Sequence, residues 1–331
     1  MGSSSSKPIP PPLLASLQNR ADQSGFIGFD DFMELALYHP QAGYYTSARS
    51  RVGLSDQTDF FTASSLGPVF GELVVAACVH LLGGRDPALF RFIEVGAELG
   101  RSVLDGVAHP FAEVIPVAVT QKAKLAGPCV VFSNELFDAQ PCRRFVGREN
   151  KWQELGIEIE EDGLMESTRL PVDPPAQLPD LAPEGYHLDL PLRAQDLTAE
   201  LAAQPWHGLF LAFDYGKSWR ELVEATPQGT VRAYRQHQQS NDLLAHVGEQ
   251  DLTCHVCWDW LQSGLENHGF EAAPIVSQEA FLVKNTAQTL ARIMQEEART
   301  VSARKSGLLQ LLHPSSLGQK FQVLSATKHD S

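Results

Sequence analysis

Apolar residues in this chain form short runs that alternate with amphipathic stretches. Four apolar runs predict buried strands: residues 88–95, 114–120, 129–133 and 209–213. Apolar positions at helical spacing predict three helices: residues 26–45, which turn at His39–Gly43, 69–82 and 258–268. Buried strands that alternate with helices are typical of a largely parallel sheet, so the pattern predicts an α/β protein.

Three further stretches complete the prediction. We expect a helix over 101–107, a last strand at 281–283 and a charged helix over 286–305. The resulting division has a flexible tail at 1–25, a main domain at 26–285 and a C-terminal helix and tail at 286–331. Within the main domain, residues 26–85 form an N-terminal helical part and the proline-rich residues 145–192 form an insertion.

Composition narrows the classes of partner. The formal net charge of -14 over 331 residues argues against nucleic acid or an anionic membrane as the main partner. The sequence contains no apolar run near the length that a membrane-spanning helix needs. A basic protein segment stays open as a partner, and so does a homodimer.

The cysteines indicate a reducing compartment. Five of them, an odd number, are scattered along the chain, which suits free thiols and predicts a cytoplasmic protein. Cys254 and Cys257 have the spacing of a zinc pair, but no second pair follows them in the sequence. We therefore predict buried thiols and no metal.

Polar residues follow three of the predicted strands. Glu94 ends the first strand, the segment 134–138 follows the third, and Asp214 follows the fourth. Ligands of parallel sheets bind beyond the carboxyl ends of the strands, so these acids predict a site there. The alternative for any single acid is that it caps the next helix.

The glycine-containing turn at 94–100 suggests the ligand. An apolar run ends at Glu94, Gly96 lets the backbone approach a ligand closely, and the N-terminus of the expected helix would offer unpaired N–H groups. These features predict a nucleoside cofactor. Glu98 stands where such turns usually have a second glycine.

Several separated motifs resemble the MidA-type family of S-adenosylmethionine-dependent methyltransferases, which includes an arginine methyltransferase of mitochondrial complex I assembly. The motifs lie at 32–45, 59–71, 94–100 and 134–141, with a C-terminal series that includes His237, Asp251 and His255. The resemblance covers roughly residues 26–285. It implies a Rossmann-like class I methyltransferase sheet with N-terminal helices and an inserted subdomain, S-adenosylmethionine as cofactor, and a protein side chain as acceptor.

The resemblance also assigns roles to residues. An arginine acceptor stays protonated at working pH, so carboxylates must orient it and accept its proton, and the candidates for this role are Glu135 and Asp138. The alternative for Glu135 is that it binds the cofactor or caps a helix. The resemblance implies a cofactor site formed by Asp59, Thr62, Glu94, Gly96, Ala97, Gly100 and Asn134. No step is assigned to His237, Asp251 or His255.

The chain departs from the family pattern at three places. Glu98 and Thr58 replace glycines, and residues 120–122 hold no acid to bind a ribose. Glu98→Gly is therefore expected to tighten cofactor binding, unless Glu98 points to solvent. The departures keep open a catalytically impaired relative that acts as a binding or assembly protein. A dehydrogenase is disfavoured because the chain lacks the three-glycine fingerprint.

Overall fold

The computed structural model describes residues 8–46, 66–98, 100–160, 163–236 and 238–330. The helices are α1 Pro11–Arg20, α2 Phe29–Tyr38, α3 Pro68–Leu81, α4 Leu192–Ala202, α5 Trp219–Glu224, α6 Trp258–Glu266, α7 Gln278–Asn285, α8 Ala287–Glu296 and α9 Ala303–Leu312. The strands up to residue 190 are β1 Phe26–Gly28, β2 Arg91–Ala97, β3 Glu113–Ala118, β4 Gly127–Asn134, β5 Arg143–Arg148, β6 Lys151–Glu160, β7 Gly163–Arg169 and β8 His187–Leu190. The later strands are β9 Trp206–Asp214, β10 Gly216–Lys217, β11 Arg232–Arg235, β12 Gln238–Ser240, β13 Asp251–Thr253, β14 Val256–Cys257, β15 Glu271–Ala272, β16 Val276–Ser277 and β17 Gln322–Lys328.

A seven-stranded sheet forms the centre of the fold, in the order β15-β17-β9-β4-β2-β3, with β16 also paired to β17. The strands β3, β2, β4 and β9 are parallel, and β17 is antiparallel to β9. The near-continuous apolar sequences of β4 and β9 suit this position, since parallel strands are covered on both faces. The four strands predicted from apolar runs, at 88–95, 114–120, 129–133 and 209–213, are confirmed, and so is the α/β class.

Helices cover both faces of this sheet. On one face, α3 and α9 pack against aromatic side chains from three neighbouring strands, Phe92, Phe132 and Phe213. On the other face, α4 and α6 pack against Ile93 and Phe210. The predicted helices at 69–82 and 258–268 correspond to α3 and α6, so both are confirmed.

A second sheet is antiparallel and has five strands, in the order β1-β6-β5-β8 with β7 paired to β6. Its strands from β5 to β8 lie in or beside the segment predicted as an insertion. The strand β1 belongs to the N-terminal part, so the two segments share one sheet. The predicted helix at 26–45 is therefore shorter than expected, because residues 26–28 pair with β6 before α2 begins.

The predicted helix at 101–107 is wrong, since the structure has turns there. The backbone forms separate turns: the N–H of Asp105 donates to the carbonyl of Ser102, and that of Val107 to the carbonyl of Leu104, each at 3.0 Å. Between them Gly106 adopts a φ of +73°. A left-handed residue at this point ends the helical conformation after one turn.

The predicted strand at 281–283 is also wrong, because these residues lie in α7. Ser277 caps this helix by accepting the N–H of Ala280 at 3.2 Å. Phe281 and Leu282 are buried while Val283 is exposed. A three-residue apolar run fits a strand or one turn of a helix, and here the cap decides between them.

The C-terminal segment differs from the predicted helix and tail. Residues 286–305 form α8 and the start of α9, with a break where Glu297 accepts hydrogen bonds from Thr300 and Ser302. Beyond α9, the strand β17 enters the central sheet between β15 and β9. The last residues of the chain therefore contribute to the core.

Candidate functional site

The carboxyl ends of β2, β4 and β9 lie side by side. Glu94 of β2 is in register with Phe132 of β4, and Asn134 of β4 is in register with Phe213 of β9. Each of these strands is followed by residues that the sequence singled out. The fold thus brings the glycine turn, the segment 134–138 and Asp214 to one edge of the sheet.

The glycine turn packs closely against the segment after β4. Gly96 has a φ of +84°, and a Cβ on it would lie 2.7 Å from Cδ1 of Leu136. Only glycine satisfies both the left-handed backbone and this contact. Gly100 has a φ of +73° and open space around its Cα. Ala97 is buried at the end of β2.

Glu94 is buried and engaged with the turn that follows it. One of its carboxylate oxygens accepts the hydroxyl of Ser102 at 2.7 Å and the N–H of Val103 at 2.8 Å. Burial raises the pKa of Glu94 to about 7, against the lowering effect of these two bonds. These contacts hold the turn after β2, where no helix forms, and a contact of Glu94 with a cofactor stays a prediction.

Glu98 is exposed, and its backbone is not left-handed. Positive φ angles among the described non-glycine residues occur at Glu135, Glu149, Asn150 and Gln236. The turn therefore accepts a glutamate without backbone strain. Its carboxylate can remain in water, where a neighbouring charge costs little.

Glu135 has a strained backbone at the end of β4. Its φ is +53°, and its N–H donates to the carbonyl of Phe213 at 2.9 Å. A left-handed non-glycine residue costs on the order of 1–3 kcal/mol and is often found at functional sites. The amide of Asn134 donates to the Glu135 carboxylate at 3.0 Å, while the buried Oδ1 of Asn134 has no hydrogen-bond partner among the described residues.

Asp214 holds the loop that carries Asp138. It is fully buried, and its carboxylate accepts the N–H groups of Phe137 at 2.8 Å and Tyr215 at 2.9 Å. Burial raises its pKa to about 7, although these bonds favour the charged form. Burial also raises the pKa of Asp138 well above its ordinary value, and the nearby Asp214, Glu135 and Asp251 raise it further.

Two tyrosines beside this cluster were not predicted as site residues. Tyr38 donates its hydroxyl to the carbonyl of Ala139 at 2.8 Å, and Tyr45 donates to Oδ1 of Asp251 at 3.0 Å. The two rings stack with centroids 5.5 Å apart. In the sequence they appear only within the motif at 32–45, and nothing local shows that β13 brings Asp251 to them.

A cavity of about 460 Å³ lies next to the cluster. It is bounded by α2, the end of β3, the start of α4 and the loop after Asp138. Its lining includes Tyr38, Thr120, Gln140, Asp30 and Asp196. At the end of β3, Gln121 turns back and accepts the N–H of Ala118 at 3.2 Å.

Other sequence predictions have different outcomes. Asp59, Thr62, Thr58 and His237 lie outside the described residues, so their roles stay predictions. All five cysteines are free and buried. Within the described ranges, no group of three metal-binding side chains occurs. In the same part of the chain, no helix combines the length and the apolar character needed to cross a bilayer.

The chain resembles the proteins of one known family. The sequence profile of a family described as "Putative S-adenosyl-L-methionine-dependent methyltransferase" matches residues 101–276, more than half of the chain. The chain is 23% identical to "Protein arginine methyltransferase NDUFAF7, mitochondrial" from Xenopus laevis, over 96% of this chain and 84% of the relative. It is 25% identical to the Drosophila melanogaster homolog of that protein, over 95% and 84% of the two chains.

A solved structure has the same fold. A COG1565 superfamily member from Burkholderia thailandensis, bound to S-adenosyl-homocysteine, superposes with a TM-score of 0.80 at 22% identity. The match covers 98% of this chain and 95% of the other. It confirms the predicted methyltransferase fold.

Proposed function

The chain belongs to this family of S-adenosyl-L-methionine-dependent methyltransferases, and from that premise we propose that it methylates the guanidinium group of an arginine in a partner protein. One observation carries the choice of acceptor. The edge of the sheet that holds the glycine turn also holds a cluster of buried acids around Asp138. Buried acids of this kind favour a cationic acceptor. The curated relatives named as protein arginine methyltransferases support the same choice.

The residues at the glycine turn fit the cofactor. Gly100 has open space around it where a ligand would approach, and Gly96 allows the turn to pack directly against Leu136. The buried Oδ1 of Asn134 has no partner among the described residues, and it can accept a hydrogen bond from the ammonium of an amino-acid moiety. We therefore assign these three residues to cofactor binding. The bound cofactor supplies an electrophilic methyl group.

The acids perform two tasks toward a guanidinium. Arginine stays protonated at working pH and offers planar, forked N–H donors, which carboxylates bind well. An incoming cation lowers the pKa of Asp138, so the carboxyl group ionises as the acceptor binds. When the nitrogen gains a methyl group, one N–H proton must leave. Asp138 accepts this proton, and Glu135, held in its strained conformation, orients the guanidinium.

The alternative function, that of a catalytically impaired relative, is less well supported. The argument for it depended partly on Glu98, which is exposed and unstrained in the structure. The strained Glu135 and the buried Asp138 lie together at the edge of the sheet where an active enzyme needs them. The methyltransferase function is therefore the better supported of the two.

Calorimetric titration with S-adenosylmethionine and S-adenosylhomocysteine tests the cofactor. We expect both to bind and to raise the unfolding temperature, because a ligand of the native state stabilises it by mass action. NAD serves as the control and should not bind. No binding of either sulfur compound at millimolar concentration would contradict the proposal.

A methyl-transfer assay tests the proposed role of Asp138. With the peptide acetyl-Gly-Arg-Gly amide as acceptor, Asp138→Asn should reduce transfer about 100-fold to 10,000-fold while cofactor affinity stays unchanged. Glu113→Gln is the matched control, since Glu113 is an exposed acid at the opposite end of β3. Equal rates for wild type and Asp138→Asn would exclude the role of Asp138.

A further inference from the structure

Tyr38 stands between the cavity and the buried acids. It is the last residue of α2, and its half-buried side chain lines the cavity of about 460 Å³. Its hydroxyl donates to the carbonyl of Ala139 at 2.8 Å, the residue directly after Asp138. A side chain that enters the cavity can therefore contact Tyr38, whose hydroxyl is bonded next to Asp138.

Tyr45 packs against the ring of Tyr38. Its ring stacks on Tyr38 with an interplanar angle of 18°, so it occupies one face of the Tyr38 ring. Its hydroxyl donates to Oδ1 of Asp251 at 3.0 Å. Asp251 is buried and lies on β13. The tyrosine pair thus connects the wall of the cavity to a second buried acid.

The two tyrosine rings are neutral and lie beside acidic side chains, which favours a cation. Burial and the charge of Asp251 raise the pKa of both tyrosines well above the ordinary value, so both phenols stay neutral. Asp138 contributes to the same shift in Tyr38. A neutral aromatic face beside two carboxylates attracts a cation through its π system as well as through the acids.

Acidic side chains outnumber basic ones in the lining of the cavity, where the basic residues are Arg143 and Arg193. Asp30, Asp31, Glu34 and Asp196 line it. Arg20 pairs with Asp31 and Glu34, and Arg143 of the lining pairs with Glu154. Arg193 of the lining pairs with Glu200, so Asp30 on α2 and Asp196 on α4 are further acids of the lining. A basic segment is therefore favoured there over an acidic one.

We propose that the Tyr38 ring is the aromatic wall of the acceptor site, against which the guanidinium lies, and that Tyr45 and Asp251 position it. This inference rests on the proposed function, because it takes an arginine as the acceptor. A planar guanidinium stacks on an aromatic ring and still offers its N–H edge to carboxylates. A lysine ammonium has no plane to stack. Tyr38 thus selects arginine over lysine.

Two variants of Tyr38 distinguish the contribution of the aromatic ring to binding from that of the hydroxyl group. Tyr38→Phe keeps the aromatic face and loses the bond to Ala139, whereas Tyr38→Leu loses both. The probe is acetyl-Gly-Arg-Gly amide, titrated by calorimetry with and without S-adenosylhomocysteine. Tyr38→Leu should weaken its binding about fivefold to thirtyfold, the size of a partly desolvated cation–π contact. Tyr38→Phe should stay within about threefold of wild type, since the π contact remains.

Controls distinguish selectivity from damage to the fold. Peptides with lysine or neutral citrulline in place of arginine should bind wild type more weakly, and Tyr38→Leu should narrow the difference between arginine and lysine. Tyr186→Phe removes a hydroxyl that donates to the carbonyl of Leu222 at 2.8 Å and accepts the N–H of Thr226 at 2.9 Å, and this variant should bind the probe like wild type. Thermal unfolding shows whether each variant is folded.

The test of Tyr38 can fail or succeed independently of the test of the proposed function. Three results would overturn the role of Tyr38: wild type that does not bind the arginine peptide, Tyr38→Leu that binds it as wild type does, or equal losses in Tyr38→Leu and Tyr38→Phe. If the peptide results are as expected but S-adenosylmethionine does not bind, the proposed function fails and the role of Tyr38 as a guanidinium-binding wall stands.

Discussion

The buried carboxyl group of Glu94 makes the stability of the fold depend on pH. It is 8% exposed, and burial raises its pKa to about 7 from an ordinary value of 4.5. Between these two values the folded protein holds a proton that the unfolded chain has lost. Stability therefore falls as the pH rises through this window.

Glu94→Gln should remove this pH dependence. Both donors, Ser102 and Val103, bond to a single oxygen of Glu94, which the Gln amide oxygen can replace. The stability of the variant relative to wild type should grow from about pH 4.5 to about pH 7 and then level off, at about 3 kcal/mol or less. Urea unfolding at several pH values measures the difference. Parallel curves for the two proteins would contradict the prediction.

Glu98 is the residue at which the structure changes the expected result. A left-handed or buried Glu98 would predict tighter cofactor binding in Glu98→Gly. Because Glu98 is exposed and its φ is not positive, we expect the affinity for S-adenosylmethionine to change by less than about twofold. Calorimetry at low and moderate ionic strength checks this. A tenfold gain would show that the carboxylate opposes the cofactor after all.

At the scale of elements, the sequence predicts the centre of the sheet better than its margins. The strands β2, β4 and β9 and the helix α3 carry long apolar patterns, which local spacing is enough to identify. The strand β17 was missed because its sequence mixes Gln322, Ser325 and Thr327 with its apolar residues. Its extended conformation depends on pairing with β9, more than 100 residues earlier in the sequence.

The same distinction applies to the candidate site. Glu94, Asn134, Asp138 and Asp214 could be found from the sequence because each lies where an apolar run ends or just after it. The sequence motifs contain Tyr38 and Asp251, but their position beside the acids could not be predicted, because α2 and β13 meet only through tertiary packing around the Tyr38–Tyr45 pair. Sequence spacing holds no information on a contact between residues 206 positions apart.

The strand β17 should behave as part of the core. Leu324 is 0% exposed and packs on the same face as α4 and α6. Leu324→Ala should lower the free energy of unfolding by about 2–5 kcal/mol, the usual range for a buried leucine. Leu309→Ala, at an exposed leucine of α9, is the control and should change it by less than about 0.5 kcal/mol. Equal effects in urea unfolding would mean that β17 lies outside the cooperative core.

At the scale of the whole molecule, one buried ion pair connects the second sheet to the candidate site. Arg144 of β5 bonds to Asp189 of β8 at 3.0 Å. Asp189 also accepts the N–H of Val231 at 3.0 Å, just before β11 begins. The strand β11 pairs with β13, where Tyr234 is in register with Asp251. The second sheet therefore fixes the position of an acid in the site.

Because the Arg144–Asp189 pair is buried, we expect its variants to differ in stability in an order that variants of an exposed pair would not show. Arg144→Met leaves the carboxylate of Asp189 buried without its cation, which should cost about 3–5 kcal/mol. The double variant Arg144→Met/Asp189→Asn should be more stable than Arg144→Met alone, because Asn still accepts from Val231 and carries no charge. Arg220→Met, which breaks an exposed pair with Glu224, should have no measurable effect. If the double variant is less stable than Arg144→Met, the buried charge is not the source of the cost, and the contribution of Asp189 lies in its hydrogen bonds to the segment before β11.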